Sequence, residues 1–535
     1  MFLTTAISYL NGEPHLGHLL EIVISDIISR YYKTKDETST LIFQTGSDEH
    51  GQKISDKAVS VGLTPIELCN QNLEKFQNLY KVLKVNEDIF VRTTSKNHHA
   101  TVQHVFQLLK SKDDIYLDNY TGWYNCREEK YVTEGTAKLL DYKDEVTGKP
   151  LEKIEEPSYF FRLSKYQDRI IEFYKNNPDF ISDKSNYTII MNRLNEPLQD
   201  LSISRVNIKW GIPLDEKHVC YVWFDALLNY LSGIDYFEID NENTYPIKGK
   251  DIWKDVYHLI GKDIVWFHGV IWPAMLMALD IKLPKQLIVH GFVTDEKGIK
   301  MSKSVGNVIN PFDLLKTFPA DTLRSYVIRF SNLEFDAKCG ISSIVNFHNG
   351  ELANNIGNMF NRLIKQIDVN YDSIVPVVEL NESNQKLLSL LDVSFVDELD
   401  KMYQKYQLKN VMELSLKLFQ ELNLWFTEQA PWSIKDNDNK KKLILRIAFE
   451  RVYQLTHILY PIIPDIALSM SKIMNKPLIL MEQLKKYHYC LNDGIDNLKL
   501  SDERHILFPK VIIETDKQKK NEKQKKDKKN KRQIK

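Results

Sequence analysis

The run Phe2-Leu3-Thr4-Thr5-Ala6-Ile7-Ser8-Tyr9-Leu10-Asn11-Gly12-Glu13-Pro14-His15-Leu16-Gly17-His18 decides how the rest of the chain is read. Residues 2–7 are rich in strand formers, and residues 9–14 form a turn signal. From residue 18 to 32, Leu19, Ile22, Val23, Ile27 and Tyr31 recur three and four apart, which predicts a helix. The same passage then repeats. Residues 40–45 read as a second strand, Gly46-Ser47-Asp48-Glu49-His50-Gly51 leaves it, and helical patterning fills residues 54–83. Two strand-to-helix passages predict a parallel sheet with helices on its faces.

Near Ser111 the pattern changes to short segments with turns and a patchwork of aromatics, which reads as an insertion. Strand-like runs return at residues 219–225, 256–261 and 286–291, each ending in Asp, Gly or His, where an α/β site forms. Beyond about residue 343 strand signals nearly vanish. Helical patterns cover residues 347–367, 395–409, 411–426 and 441–459, implying a bundle, and the chain ends in a low-complexity tail.

The chain has 535 residues, 43% hydrophobic and 27% charged, with 71 Lys and Arg against 72 Asp and Glu. At roughly 150 residues per domain this predicts three to four units with real cores and excludes wholesale disorder. The net charge of −1 hides an asymmetry, because residues 517–535 carry eleven basic and two acidic side chains and leave an acidic body. Such a body does not resemble a DNA-coating protein. The tail reads as a solubilising end or as non-specific attraction for a polyanion. Cys69, Cys126, Cys220, Cys339 and Cys490 are widely spaced with no CxxC pair, so a reducing compartment is expected. No stretch approaches about 18 consecutive apolar residues, and the first residues lack the basic flank of an export signal.

Two motifs carry chemistry. His15-Leu16-Gly17-His18 places two imidazoles at a helix start beside unused backbone N–H groups, which suits a phosphate chain, and Gly17 lets the backbone approach a ligand. Alone, the pair also fits a metal fragment or a packed pair. Lys300-Met301-Ser302-Lys303-Ser304, flanked by Gly298, Gly306 and Asn307, reads as a cationic loop able to close over a pyrophosphate leaving group. Alone, it is also an ordinary basic turn.

Together they resemble the HIGH and KMSKS signatures of class I aminoacyl-tRNA synthetases, and among these the methionyl-tRNA synthetases. The resemblance continues through residues 45–51, 221–230, 261–273 and 290–307 and into the helical region. It implies a Rossmann-like parallel-sheet catalytic domain split by a connective insertion and followed by an all-α anticodon-binding helix bundle. The expected division is 1–110 and 219–295 for the catalytic halves and 111–218 for the insertion. Residues 296–345 take the KMSKS loop and stem-contact region, 346–515 the helical domain and 516–535 the tail. The implied reaction joins methionine to ATP as methionyl-adenylate with release of pyrophosphate, then transfers methionine to tRNA(Met). No covalent enzyme intermediate is needed, which agrees with the lack of any nucleophile, base and orienter set.

By the resemblance, His15, His18, Lys300 and Lys303 are catalytic, Lys303 being the stronger of the two lysines. Ala6, Ile7, Tyr9, Trp223, Leu227, Tyr230 and His268 form a thioether slot, where aromatic rings and one hydroxyl suit sulfur. Asp48 holds the ammonium group. ATP is implied at His15, Gly17, His18, Asp263, His290, Gly291, Phe292, Val293, Lys300 and Lys303. Mg²⁺ travels with the triphosphate, without identifiable protein ligands. Asn354, Asn358 and Arg362 lie four apart on one helix side and, with Trp432, are implied to read the CAU anticodon. Without the resemblance those asparagines read as a solvated face or caps.

Many methionyl enzymes bind structural zinc through cysteine knuckles in the insertion. Here Asn125 and Glu128 stand where two knuckle cysteines are expected, and no further cysteine separates Cys126 from Cys220. No structural zinc is therefore expected, with Trp123, Tyr124 and Tyr131 packing the shortened knuckle. The tail lacks the strands of an OB-fold appendage, so a monomer is expected, and the missing presequence favours the cytoplasm. Two rivals remain: a catalytically silent tRNA-binding or scaffold protein, and a class I synthetase for another hydrophobic amino acid. The retained His15, His18, Lys300, Lys303 and Asp48 argue against the first, and an insertion too short for an editing domain argues against the second. Metal analysis after gel filtration with a chelator should find far less than one zinc per chain; near-stoichiometric zinc would contradict the reading of the knuckle.

Overall fold

A computed structural model describes residues 1–125, 130–132, 134–145, 148–239, 248–301, 306–331, 333, 335–378, 394–435, 439–486 and 498–512. Lys303, Cys126, Glu128 and the basic tail lie outside the described residues, as does the side chain of Tyr131.

Strand β1 (Phe2–Thr5) is buried at every position and resumes, after Ala6 and Ile7, as β2 (Ser8–Tyr9). Helix α1 (Leu16–Lys33) follows. It buries Leu19, Leu20, Val23, Ile24, Ile27, Ile28 and Tyr31 along one broad stripe. Next come β3 (Ile42–Asp48), α2 (Gln52–Ser60), α3 (Pro65–Val82), β4 (Ile89–Arg92) and α4 (Lys96–Ser111). The helical pattern over residues 54–83 is broken between α2 and α3, where Gly62 takes φ +72°. Thr64 then caps α3 through a reciprocal bond with Glu67, and Pro65 occupies its first turn.

The insertion builds an antiparallel sheet in the order β6-β5-β7-β8 from β5 (Ile115–Asn125), β6 (Lys130–Val132), β7 (Glu152–Phe161) and β8 (Leu201–Ser202). Around the knuckle position, the Asn125 amide donates to Asp144 at 2.8 Å, and Trp123 Nε1 and the Tyr142 hydroxyl both donate to Glu134. Val132, Ala137 and Leu151 form a small apolar cluster beneath. Among the described residues no group of three or more His, Cys, Asp or Glu is arranged to hold a metal.

Strand β9 (Ser204–Arg205) pairs antiparallel with β10 (Val219–Cys220), outside the main sheet. The run 219–225, read above as one strand, therefore splits. Only Val219 and Cys220 pair as a strand, and after extended Tyr221 a helix, Val222–Leu227, begins. Strand propensity yields here because Asp225 is drawn inward by buried partners. The main sheet is completed by β11 (Val256–Gly261) and β12 (Gln286–His290). Short β13 (Val293–Thr294) pairs with β14 (Ala337–Lys338).

All pairs of the main sheet are parallel, in the order β12-β11-β1-β3, with β2 and β4 also paired to β3. Phe2 sits opposite Ile42 on one side and Val256 on the other. Chain order runs outward from β1 in both directions, so the sheet reverses between β1 and β11 and opens a crevice at the carboxyl ends of the strands. One core cluster joins the α1 face of the sheet to the helices after Ile341, and a second fills the opposite face against the insertion.

Arg324, on the helix Ala320–Phe330, fastens α1 to the helical region. It is fully buried, pairs with Asp26 of α1 at 2.8 Å, and donates to the carbonyls of Leu83, Pro461 and Ile462. Arg324→Met leaves Asp26 buried with only Arg30 as a charged partner and strips three carbonyls of their donor, an expected loss of about 3–5 kcal/mol. Arg329→Met, which breaks half-exposed pairs with Glu351 and Glu413, should cost under about 1 kcal/mol; denaturant unfolding of both variants checks the contrast.

Candidate functional site

The crevice is built from strand ends and the segments that leave them. From the first half come Ala6 and Ile7 in the break after β1, Tyr9 on β2, Asp48 at the end of β3, and His15, Gly17 and His18 at the start of α1. The second half supplies Trp223 and Leu227 on the helix Val222–Leu227, Tyr230 on Asn229–Ser232, His268, Asp263 after β11, His290 at the end of β12, and Gly291, Phe292, Val293 and Lys300 beyond.

Histidine 15 is the N-cap of α1. Its Nδ1 accepts the Gly17 N–H at 3.1 Å, while its own N–H is accepted by His18 Nδ1 at 3.2 Å. The two rings stack with centroids 3.9 Å apart. Because both Nδ1 atoms are acceptors, the N–H of each neutral ring is on Nε2. Any side chain at position 17 meets this arrangement directly, since a Cβ there would stand 2.9 Å from the His15 ring. No acidic side chain occupies the first turn of α1, and Arg30 and Lys33 occupy its last. The helix dipole at the crevice is thus left for an anionic ligand.

The slot beside it is aromatic and neutral. Tyr230 is buried and its hydroxyl lies 2.7 Å from His268 Nε2. His268 Nδ1 donates to the Ile264 carbonyl at 3.1 Å, which leaves Nε2 to accept from the tyrosine. Burial brings His268 down to about 4, against the opposing pull of that carbonyl. Beneath it, His258 Nε2 accepts from Trp272 at 3.1 Å, Nδ1 lies 2.6 Å from Thr4 Oγ1, and burial holds this ring well below the usual histidine range too. Trp223 stacks on Phe267 at 3.7 Å. Phe267 and His268 belong to a π-helical turn, Phe267–Ile271, a distortion frequent at functional sites. From the insertion, the Arg193 guanidinium lies 3.6 Å over Trp266. A slot of stacked rings without a formal charge on its floor suits an uncharged, polarizable side chain.

On the far wall His290 donates from Nδ1 to the Gly291 carbonyl at 2.8 Å and faces Glu21 with Nε2 at 3.0 Å. Burial pulls His290 down, but the hydrogen bond and charge of Glu21 outweigh it, so the ring is raised above its ordinary value. Gly291 is required because the Phe335 backbone passes where a Cβ would sit, 2.5 Å from its oxygen. Lys300 pairs with Asp263 at 3.1 Å and lies 3.6 Å over the Phe292 ring, half exposed. The neighbouring Met301 is buried and its N–H bonds the Val293 carbonyl, so the loop is anchored up to Met301. Lys303 lies outside the described residues.

A second constellation stands in the helical region. Asn358 and Arg362 open the helix Asn358–Tyr371, and Trp432 is half exposed in the turn Pro431–Ser433. Arg362 lies 5.1 Å over Trp432 and donates to Thr427 at 3.0 Å. Asn354 sits one segment earlier, in a π-helical stretch, His348–Gly357. It is Asn355 instead whose amide group engages Asn423, which also receives Asn358 at 3.4 Å. Asn355, Asn423, Thr427, Glu21 and the buried set around Asp225 were not singled out from the sequence. Only their tertiary partners make them visible.

Residues 1–364 match the family described as tRNA synthetases class I (M). A methionine–tRNA ligase of Rhizobium meliloti is 36% identical over 484 residues, 89% of this chain and 92% of the relative. One of Rickettsia conorii is 35% identical over 518 residues, 95% of this chain and 99% of the relative. Among solved structures, Mycobacterium tuberculosis methionyl-tRNA synthetase in complex with methionyl-adenylate superposes with a TM-score of 0.85 at 30% identity, covering 95% of this chain and 99% of that one.

Proposed function

The chain belongs to the class I tRNA synthetases of the methionyl type, and we propose that the crevice at the sheet reversal is where its residues bring methionine and ATP together. It catalyses the methionine–tRNA ligase reaction: L-methionine and ATP give methionyl-adenylate and pyrophosphate, and methionine passes to tRNA(Met).

The observation that carries the site assignment is the stacked His15–His18 pair at the N-terminus of α1, where two imidazoles and the helix dipole stand together. Both imidazoles donate to phosphate oxygens and gain strength as charge develops on the pentavalent α-phosphate. Lys300 and Lys303 neutralise the departing pyrophosphate; for Lys300 this means exchanging Asp263 and the Phe292 face for phosphate. Mg²⁺ would accompany ATP as its counter-ion, and Asp263 and Glu21 are engaged by Lys300 and His290. His290, Gly291, Phe292 and Val293 receive the nucleoside, with Asp263 toward the ribose.

Methionine lies in the slot of Ala6, Ile7, Tyr9, Trp223, Leu227, Tyr230 and His268, its ammonium against Asp48. The Tyr230 hydroxyl is already spent on neutral His268, so selection of sulfur rests on ring contacts rather than on charge. In the helical region Trp432 and Arg362 offer a stacking platform, and Asn354 and Asn358 offer amides, for an unstacked CAU anticodon. Residues 1–110 and 219–295 supply the adenylating machinery, 111–218 the connective insertion, 296–345 the loop over the phosphates and 346–515 the anticodon reader. No helix among the described residues is long and apolar enough to cross a membrane, and we take the enzyme to act as a cytoplasmic monomer.

His18→Asn should slow methionine-dependent ATP–pyrophosphate exchange by roughly 100-fold or more with little change in KM for methionine; an unchanged rate would remove His18 from the chemistry. Trp432→Ala should cripple tRNA charging while leaving the exchange nearly intact. Equal loss in both assays would defeat the anticodon assignment.

A further inference from the structure

Asp225 is fully buried on the short helix that carries Trp223, and each of its carboxylate oxygens meets a different imidazole. Oδ2 lies 2.7 Å from His50 Nδ1 and Oδ1 lies 2.6 Å from His98 Nε2. Both histidines are buried and both come from the first half of the catalytic fold. His50 stands two residues beyond Asp48 on the loop leaving β3, and His98 lies in the first turn of α4. Burial works to raise Asp225, but the two imidazoles override it and hold the carboxyl well below the usual carboxylate range.

Glu49, between Asp48 and His50, is braced as well. The Glu49 carboxylate takes Arg92 at 2.7 and 2.9 Å, with Ser47 and Thr94 donating to it at 2.5 Å. Its carbonyl accepts Trp210 Nε1 from the insertion at 2.6 Å. The next helix, bearing Tyr230, is tied to the same first-half elements. Gln44 Nε2 donates to Asn229 at 3.0 and 3.1 Å, Asn97 donates to the Ser232 carbonyl at 2.8 Å, and His98 Nδ1 lies 2.7 Å from Ser232 Oγ.

Replacing a buried charged set by apolar packing is often neutral for stability, so its retention calls for a geometric reason. One is evident. The ammonium carboxylate and the aromatic wall of the thioether slot, Trp223 and Tyr230, come from halves of the fold separated in sequence by the whole insertion, and they must keep a fixed separation to grip one small amino acid.

We propose that Asp225, acting through His50 and His98, is a positioning residue that sets the distance between Asp48 and the Trp223–Tyr230 slot and thereby fixes affinity and selectivity for methionine without touching it. The proposal rests on the reading of Asp48 and Trp223 as methionine contacts.

The test is ATP–pyrophosphate exchange by the full chain, measuring KM for methionine, KM for ATP, and discrimination against L-norleucine. The variants are Asp225→Asn and His98→Gln, with Asp48→Asn and Trp223→Ala as references. Asp225→Asn should raise KM for methionine roughly tenfold while KM for ATP stays within about twofold, and should narrow the preference over norleucine. His98→Gln should shift the same quantities less. A merely structural role would lower thermal stability and raise both KM values together, and that result overturns the proposal, as does an unchanged KM for methionine in both variants. If Asp225→Asn fails to fold by circular dichroism, His98→Gln and His50→Gln decide by the same criteria. Should the two reference variants leave KM for methionine unaltered, the slot assignment itself fails, a result distinct from failure of the brace alone.

Discussion

The pairing of β1 with β11 is the constraint on which the molecule depends. Phe2, Leu3, Thr4 and Thr5 pair in parallel register with Val256, Tyr257, His258 and Leu259, strands separated in sequence by the whole insertion. That contact makes one sheet of two segments, and it places the reversal of strand order beside the first strand. The interruption of that strand at Ala6 and Ile7, the loop to His15 and the turn after Gly261 all open into the resulting crevice. A fold that lost this pairing would keep its helices and lose its site.

The chemistry that follows is one of placement. Stacked imidazoles fixed by backbone N–H groups, a lysine resting on a carboxylate and a ring, and a neutral aromatic slot can orient two substrates and stabilise charge that appears only in the transition state. None of these needs to form a bond to the substrate. Rigidity has a visible source in buried polar ties: Arg324 between α1 and the helical region, and Asp225 with its two histidines between the helix Val222–Leu227 and the first half of the fold. Such ties are satisfied at each end, which is the condition under which a buried charge holds geometry rather than costing it.

Much of the architecture was legible in the sequence because local signals agreed with the tertiary fold. The first strand, the helix after His15, the strands at 256–261 and 286–291 and the long helices past residue 341 all appear close to where periodicity and turn residues put them. The failures have one cause. Val222 to Asp225 carries strand formers yet is helical, because Asp225 answers to His50 and His98, far away in sequence. Strands β2 and β4 are short and take their identity from β3 beside them. In the helical region Asn355, which carries no pattern of its own, meets Asn423 from a π-helical stretch. The motif residues of the crevice were found through resemblance, while Glu21 and Asp225 had no pattern of their own and emerged only from distances.

The claim that placement alone activates methionine is tested most directly by trapping the product of the first step. The full chain is incubated with radiolabelled methionine, ATP and pyrophosphatase without tRNA, then passed through gel filtration and denatured. The account predicts that methionine and AMP elute with the native protein in equal amounts and that both leave it on denaturation as methionyl-adenylate. Methionine remaining attached to the denatured chain, or no methionine retained by the native one, would contradict it.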